Sequence, residues 1–290
     1  MLAYVNGLIT PEEEAKVSVN DRGWLYGDAV FETLRTYGRR VYKLIEHLER
    51  LQRSADLAGI DIPLTGAGIE KVLMELLSRE TIGRDLMLRI TVSRGAGGAG
   101  LYPTAAVRPT VVIQLRELPD YSPETFSVGW DVIIAKTRRN SPSAINPGIK
   151  STNFLNNVLA KREAVEAGVN EALMLNQQGF VAESTVSNFF MVKAGQLRTP
   201  PASDGILPGI TRETIINLAG EAGVPVWERS VEIEAAKSAD EAFLTLTSAG
   251  VIPVVSIDGG PVGDGRPGRL THQLLRLYAN HVDRFKKGGI

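Results

Sequence analysis

Lys150 is a candidate reactive amine. It lies in the segment Gly148-Ile149-Lys150-Ser151-Thr152-Asn153, between a proline-containing loop and a predicted helix. An amine attacks a carbonyl carbon only in its neutral form, so a nucleophilic lysine needs a desolvated or cationic setting that lowers its pKa. Most lysines are instead exposed surface residues. Residue type and position alone leave both interpretations of Lys150 open.

Three further segments carry groups that suit a ring nitrogen or an anion. Glu183 ends a predicted strand, where it either caps the strand or faces a ring nitrogen. Leu207-Pro208-Gly209-Ile210-Thr211-Arg212-Glu213 leads directly into a predicted helix, and free N–H groups at a helix start bind anions. The alternative is that Thr211 only caps this helix. Leu246-Thr247-Ser248-Ala249-Gly250 offers hydroxyl and N–H groups that either contact a phosphate or carboxylate or form a turn.

The glycine-rich stretch Arg94-Gly95-Ala96-Gly97-Gly98-Ala99-Gly100 has the composition of a nucleotide-binding loop. A dinucleotide-binding fingerprint, however, needs its glycines to open a helix. Here Leu101-Tyr102-Pro103 follows, and the next strong element is a predicted strand. We therefore expect a mobile loop over a site rather than a dinucleotide-binding turn.

The composition excludes several classes of site and partner. The 290 residues include no cysteine, which excludes disulfides and thiolate nucleophiles, and the three histidines (His47, His272 and His281) are too far apart to suggest a metal site. A net charge of −1 provides no strong field for nucleic acid or an anionic membrane. No apolar segment is long enough to span a bilayer, and the start reads as a strand rather than a signal peptide. We therefore expect a cytoplasmic protein.

The pattern of apolar residues predicts two α/β domains. Asn6-Gly7 between apolar pairs predicts a hairpin, and apolar residues at helical spacing predict helices over 44–58 and 67–80. A polar stretch with two prolines then indicates a linker. The expected ranges are a first domain over 1–118, a linker over 119–126 and a second domain over 127–290. Helices of the second domain are predicted over 152–167, 211–222 and 270–285.

Taken in order, these segments resemble the class IV aminotransferases, which are fold-type IV enzymes that use pyridoxal 5′-phosphate (PLP). The resemblance runs over nearly the whole chain and is strongest in five motifs: Tyr26–Glu32, Glu46–Leu51, Ile149–Asn153, Val181–Phe190 and Leu207–Arg212. It implies a mixed α/β fold with a small N-terminal domain, a larger C-terminal domain and the cofactor between them. It also implies at least a homodimer, in which a loop of one subunit, here Gly97–Pro103, closes the pocket of the other.

The same resemblance implies roles for individual residues. Lys150 is the expected Schiff-base lysine, which also moves the proton between substrate and cofactor. Glu183 is expected to pair with the pyridine nitrogen, Arg50 to bind the phosphate, and Phe154 to lie beside the ring. The remaining expected cofactor ligands are Leu207, Gly209, Ile210, Thr211 and Thr247. No metal is implied.

The family resemblance leaves the substrate open among three activities. We expect a transaminase that moves the amino group of an aliphatic, branched-chain L-amino acid to 2-oxoglutarate. A D-amino-acid or (R)-amine transaminase and a 4-amino-4-deoxychorismate lyase are the alternatives. The chain lacks both the Arg-x-His pair of D-amino-acid enzymes and the Tyr-x-Arg-Pro of branched-chain enzymes, whereas its segment Ser93–Gly98 resembles the lyases. A PLP-binding protein without activity is the alternative from a different class. Candidate substrate-binding residues are Tyr26, Phe31, Arg89, Arg94, Tyr102, Ser248 and Ala249.

Overall fold

The computed structural model describes residues 1–81, 83–97, 100–101 and 107–288. By their internal contacts they form two compact units, one made of Met1–Pro119 with Ile149–Asn153 and the other of Asp120–Gly148 with Phe154–Ile290. The Lys150 segment therefore groups with the first unit, whereas the sequence-based boundary placed it in the second domain. Tyr102 and part of the predicted 97–103 loop lie outside the described residues.

The first unit contains an antiparallel sheet with the strand order β2-β1-β6-β5-β3-β4. Its strands are β1 (Leu2–Val5), β2 (Leu8–Pro11), β3 (Ala29–Tyr37), β4 (Arg40–Val41), β5 (Leu86–Ala96) and β6 (Arg108–Glu117). The predicted hairpin joins β1 to β2, and both turn residues, Asn6 and Gly7, have positive φ. In β3, residues 30, 32 and 34 are fully buried, so one face of this strand turns towards the core of the unit.

Helices of the first unit cover this sheet. They are α1 (Arg22–Tyr26), α2 (Leu44–Ala58) and α3 (Gly66–Arg79), with a short 3-10 helix at Glu12–Glu14. Leu51 and Ala55 of α2 and Leu73 and Leu76 of α3 are fully buried in one apolar cluster with the strands. This spacing of three and four residues is the one that predicted both helices. Helix α1 is too short to show such a periodicity and was not predicted.

The second unit is built on a mixed sheet with the order β12-β11-β10-β13-β14-β7-β8-β9, to which β15 is added beside β14. Its strands are β7 (Trp130–Ile134), β8 (Glu171–Leu175), β9 (Val181–Ser184), β10 (Asn188–Lys193), β11 (Gln196–Thr199), β12 (Val226–Glu228), β13 (Glu241–Leu246), β14 (Gly250–Ile257) and β15 (Gly260–Pro261). Its helices are α4 (Pro123–Ser127), α5 (Leu155–Glu166), α6 (Ile210–Glu221), α7 (Ile233–Lys237) and α8 (Arg269–Lys286), with a 3-10 helix at Ala202–Asp204.

The sheet of the second unit closes on itself. Strand β9 pairs with β8 on one side and, through Glu183 opposite Asn188, with β10 on the other. Val132, Leu173, Phe189, Leu244 and Val254 come from five different strands and share one buried apolar cluster. Closure therefore fixes Glu183 in a ring of strands with an apolar core.

One predicted helix begins later than the sequence pattern suggested. The helix predicted over 152–167 is α5, which begins at Leu155 because the preceding segment is extended and pairs with β3. The amide N–H of Phe31 donates to Lys150 O (2.9 Å), and that of Thr152 donates to Ala29 O (2.9 Å). These long-range backbone bonds have no signature in a local pattern. In the part of the chain that the structure describes, no helix has the length and apolar character needed to cross a membrane.

Gly95 gives a test of the fold. It sits at a register shift in β5 with φ +95°, and a Cβ at this position would lie 1.7 Å from Arg108 O. We expect Gly95→Ala to lower the free energy of unfolding by about 3 kcal/mol or more, because backbone strain and a backbone clash add. The control is Gly97→Ala, which shares a positive φ but meets no described atom within 4 Å, and should cost about 1 kcal/mol. Urea unfolding followed by circular dichroism measures both, and equal losses would contradict the clash.

Candidate active site

The first unit holds the Lys150 segment by its backbone. Besides the two bonds to β3, the amide N–H of Lys150 donates to Ser54 Oγ of α2 (3.1 Å). Asn153 Nδ2 donates to Gly27 O (2.9 Å), at the C-terminus of α1. The lysine is therefore anchored to a strand and a helix on both sides of its Cα, which limits where its side chain can reach.

The ring of Phe31 lies next to two cations. Lys150 Nζ is 4.7 Å and Arg89 Cζ is 3.7 Å from the ring centroid. Arg89 comes from β5, where it pairs with Thr33, two residues beyond Phe31 on the same face of β3. The structure thus brings together three of the residues singled out in the sequence: Phe31, Arg89 and Lys150.

Arg89 is a largely buried cation with an unusual environment. Burial, and then the positive charge of Arg116, lowers the pKa of the Arg89 guanidinium to about 10, so it remains charged at neutral pH. Among the described residues, no carboxylate forms an ion pair with Arg89, although buried arginines are normally paired. A desolvated guanidinium of this kind favours a bound anion.

Glu32, His47 and Arg50 form a buried polar cluster between β3 and α2. Arg50 donates from Nε to Glu32 Oε1 (2.6 Å) and from Nη2 to Oε2 (2.9 Å), and His47 Nδ1 lies 2.8 Å from Oε2. Burial alone would raise the pKa of Glu32, but Arg50 and then His47 hold it well below its ordinary value. Burial lowers the pKa of His47, so the imidazole is neutral and its Nδ1–H donates to the carboxylate. The cluster fixes the guanidinium of Arg50, the expected phosphate ligand.

Sequence reasoning singled out Arg50 but missed Glu32 and His47. The signal was present: His47 and Arg50 are three residues apart on one face of α2, and Glu32 is a charged residue at an inward-facing position of β3. A single charged residue at an inward-facing position of a strand indicates that a residue of opposite charge lies on the element packed against that strand.

Arg94 is bound to the protein itself. Its Nε and Nη2 donate to Asp28, Nη2 also donates to Ala58 O (2.8 Å), and Nη1 donates to Gly59 O. Asp28 also accepts from Arg22 Nε (3.0 Å). Burial alone would raise the pKa of Asp28, but Arg94 and then Arg22 lower it. Because these contacts occupy most of its N–H groups, Arg94 fits a substrate carboxylate less well than Arg89.

Arg22 and Tyr26 flank this cluster on α1. Arg22 donates through Nη1 to Gly100 O (2.9 Å) and through Nη2 to Leu101 O (2.8 Å). Its Cζ lies 5.0 Å from the centroid of the Tyr26 ring, which belongs to a residue that is 44% exposed. The buried guanidinium of Arg22 thereby attaches the described end of the glycine-rich stretch to α1.

In the second unit, three N–H donors hold the side chain of Glu183. Arg139 Nε donates to Oε1 (2.9 Å), while Asn188 Nδ2 and the backbone N–H of Leu207 donate to Oε2 (3.1 Å each). The side chain of Glu183 is 7% exposed. A buried carboxylate that accepts this many hydrogen bonds is an acceptor suited to a protonated ring nitrogen. Arg139 was not found from sequence, because it is linked to Glu183 only through the folded chain. Asn188 lies in the Val181–Phe190 motif, but sequence reasoning assigned it no role.

Helix α6 begins as an anion-binding site would. Gly209 is its N-cap and makes no side-chain capping hydrogen bond, and the first turn contains the buried residues Ile210 and Thr211. The hydroxyl of Thr211 therefore does not cap the helix, which removes one of the two interpretations left open by the sequence. Uncapped first-turn N–H groups and the helix dipole favour a phosphate.

The turn between β13 and β14 contains Thr247, Ser248 and Ala249. Ser248 Oγ lies 2.8 Å from Tyr121 Oη, so a tyrosine of the predicted linker belongs to the second unit. Phe154, the expected aromatic neighbour of the ring, is the N-cap residue of α5. Tyr121 was not found from sequence, since its position near two prolines suggested only a linker.

The profile of the family described as Amino-transferase class IV matches residues 29–257. The putative branched-chain-amino-acid aminotransferase of Methanocaldococcus jannaschii is 42% identical over 96% of this chain and 95% of its own length. The D-alanine aminotransferase of Staphylococcus epidermidis is 34% identical over 96% of this chain and 97% of its own length. The solved branched-chain amino acid aminotransferase of Thermobaculum terrenum in its PLP form superposes with a TM-score of 0.88 at 32% identity, over 97% of this chain and 93% of its own.

The chain belongs to the class IV aminotransferase family. It is an enzyme of the fold-type IV group whose cofactor is PLP, and its substrates are amino acids and oxo acids. The fold class predicted from the sequence motifs is thereby confirmed.

Glu32 gives a test of the buried cluster. We expect Glu32→Ala to lower the free energy of unfolding by about 3–5 kcal/mol, because it leaves the buried guanidinium of Arg50 without its counter-ion. The control is Glu46→Ala on α2, which removes the partly exposed partner of Lys43 and should cost less than about 1 kcal/mol. Urea unfolding of the cofactor-free chain measures both, and a similar small loss for the two variants would show that the cluster contributes little.

Proposed function

We propose that this enzyme transfers the amino group of an aliphatic, branched-chain L-amino acid to 2-oxoglutarate. The observation that carries the proposal is the pairing of Phe31 with Arg89 beside Lys150. An aliphatic side chain packs well against an aromatic ring, whereas the distal carboxylate of 2-oxoglutarate needs a cation. Arg89 supplies that cation without a competing carboxylate among the described residues. The branched-chain enzymes among the similar proteins support the same assignment.

The residues of each unit suit the groups of PLP. When bound, PLP supplies an aldehyde that combines with an amine and a ring that accepts electrons from the substrate Cα. We propose that Lys150 supplies the amine and moves the Cα proton, and that Glu183 keeps the ring nitrogen protonated. For the phosphate, we propose Arg50 as the ligand in the first unit, and the first turn of α6 with Thr247 as the ligands in the second unit. Phe154 would pack beside the ring.

The D-amino-acid alternative has its own support, since D-alanine aminotransferases are among the similar proteins. Against it stands the loop near residue 100, which reads Gly97-Gly98-Ala99-Gly100-Leu101-Tyr102 and lacks the Arg-x-His pair. A homodimer or larger oligomer, a cytoplasmic location and substrate contacts by Tyr26, Ser248 and Ala249 remain predictions.

The reaction is tested with a substrate panel. We expect the highest kcat/KM with L-leucine, L-valine or L-isoleucine as the amino donor and 2-oxoglutarate as the acceptor. D-alanine and (R)-amines should be poorer donors, and pyruvate should be a poorer acceptor. Release of pyruvate from 4-amino-4-deoxychorismate without any oxo acid would identify a lyase instead.

Borohydride reduction of the PLP-loaded enzyme followed by peptide mapping should find the cofactor on the peptide that contains Lys150. An unmodified Lys150 peptide would overturn the assignment of this residue.

Arg89 gives the test of acceptor recognition. We expect Arg89→Gln to raise the KM for 2-oxoglutarate about 10–100-fold, the equivalent of about 1.5–3 kcal/mol for a lost charged hydrogen bond. The single-turnover rate constant with L-leucine, followed by the absorbance of the bound cofactor, should change only a few-fold. Arg35→Gln is the matched control, because Arg35 of β3 also stacks on an aromatic ring (Tyr37, 3.9 Å). Equal losses for donor and acceptor would contradict a role in binding the distal carboxylate.

A further inference from the structure

The side chain of Asn188 contacts both Glu183 and the segment that leads into α6. Its Nδ2 donates to Glu183 Oε2 (3.1 Å) and to Leu207 O (2.9 Å). The backbone N–H of Leu207 donates to the same Glu183 Oε2 (3.1 Å). Asn188, Leu207 and Glu183 therefore form a closed triangle of hydrogen bonds, inside which Asn188 is 5% exposed.

The other end of the Asn188 amide lies against Gly209. A Cβ on Gly209 would come within 2.0 Å of Asn188 Oδ1. The φ and ψ of Gly209, −76° and 137°, are open to any residue, so it is the space taken by Asn188 that excludes a side chain here. The two ends of one amide thus fix residues 207 and 209, directly before the first turn of α6.

Asn188 itself is well fixed by its backbone. It is the first residue of β10 and pairs with Glu183 of β9 on one side and with Thr245 of β13 on the other. A group held by two neighbouring strands moves little, so displacement of residues 207–209 must alter its contacts with the carboxylate. The side-chain amide of Asn188 therefore connects the ring of strands to the segment before α6.

We propose that Asn188 is a positioning residue that couples the carboxylate of Glu183 to the N-terminus of α6. This inference rests on the proposed roles of these two groups towards the ring nitrogen and the phosphate of PLP. A phosphate on the first turn of α6 fixes residues 207–209, which in turn holds the donors of Leu207 and Asn188 on Glu183. Because coupling between two binding sites is reciprocal, occupation of either site strengthens binding at the other.

The test separates the cofactor into two probes, pyridoxal and inorganic phosphate. The full chain is freed of PLP with hydroxylamine, and the dissociation constant of pyridoxal is measured from its absorbance with and without saturating phosphate. We expect phosphate to tighten pyridoxal binding about 10-fold in the natural sequence, within the usual range of coupling between sites. In Asn188→Ala the factor should fall to about 2-fold or less.

Asn157→Ala is the matched control. Asn157 is equally buried, accepts from Arg139 Nη1 (3.3 Å) and donates to Thr185 O (2.7 Å). Its side-chain hydrogen bonds to described residues therefore do not include one to the Glu183 carboxylate itself. The control variant should keep the coupling factor of the natural sequence. Gly209→Ala is a second variant, because its Cβ displaces the Asn188 amide without removing it, and it should also reduce the coupling. Gly209→Ala decides the matter if Asn188→Ala does not fold.

The coupling measurements test the role of Asn188, and the borohydride experiment tests the proposed function. Full coupling in Asn188→Ala or Gly209→Ala would overturn the inference, as would an equal loss in Asn157→Ala. A natural-sequence enzyme that binds PLP on Lys150 but shows no coupling between pyridoxal and phosphate would overturn it too, and would leave the proposed function intact. Failure of borohydride to attach PLP to Lys150 would instead overturn the proposed function.

Discussion

The backbone pairing of the Lys150 segment with β3 is the constraint on which the rest of the chemistry depends. A nucleophilic amine on a long, flexible side chain is useful only if its Cα is fixed, because each free rotation reduces the time spent in a reactive position. Here Phe31 and Thr152 provide the hydrogen bonds of a short strand pairing, and Ser54 adds one from α2. The same pairing places the Phe31 ring beside Lys150, and the pairing of β3 with β5 brings Arg89 to the same ring.

In the part of the chain that the structure describes, the buried arginines are paired with carboxylates, whereas the partly buried Arg89 is not. Glu32 is matched by Arg50, Asp28 by Arg22 and Arg94, and Glu183 by Arg139. Each of these pairs is internal to the protein and stabilises a fixed geometry. Arg89 is desolvated but is partnered by an aromatic ring and repelled by Arg116. An arginine that is paired with a carboxylate of the protein stabilises the fold, whereas an arginine without such a partner is a candidate for binding an anionic substrate.

Sequence reasoning succeeded where the evidence was local. Apolar spacing predicted α2 over its observed range of 44–58, and the Leu207–Arg212 motif identified a helix start that is uncapped in the structure. It failed where a role depends on contacts between distant residues. Arg139 is 44 positions from Glu183, and nothing near it in sequence indicates that partner. In sequence, Arg94 and Arg89 look alike. Only the folded chain distinguishes them, because it surrounds Arg94 with Asp28 and two backbone carbonyls that accept its hydrogen bonds.

The first unit is discontinuous in sequence, and this affects the order in which the chain can fold. The segment that completes its edge beside β3 is synthesised after β7, which already belongs to the second unit. During translation, residues 1–119 therefore emerge from the ribosome while the carbonyl of Ala29 and the amide of Phe31 still lack their partners in the Lys150 segment. Until that later part of the chain arrives, the edge of β3 at Ala29 and Phe31 lacks these two hydrogen bonds.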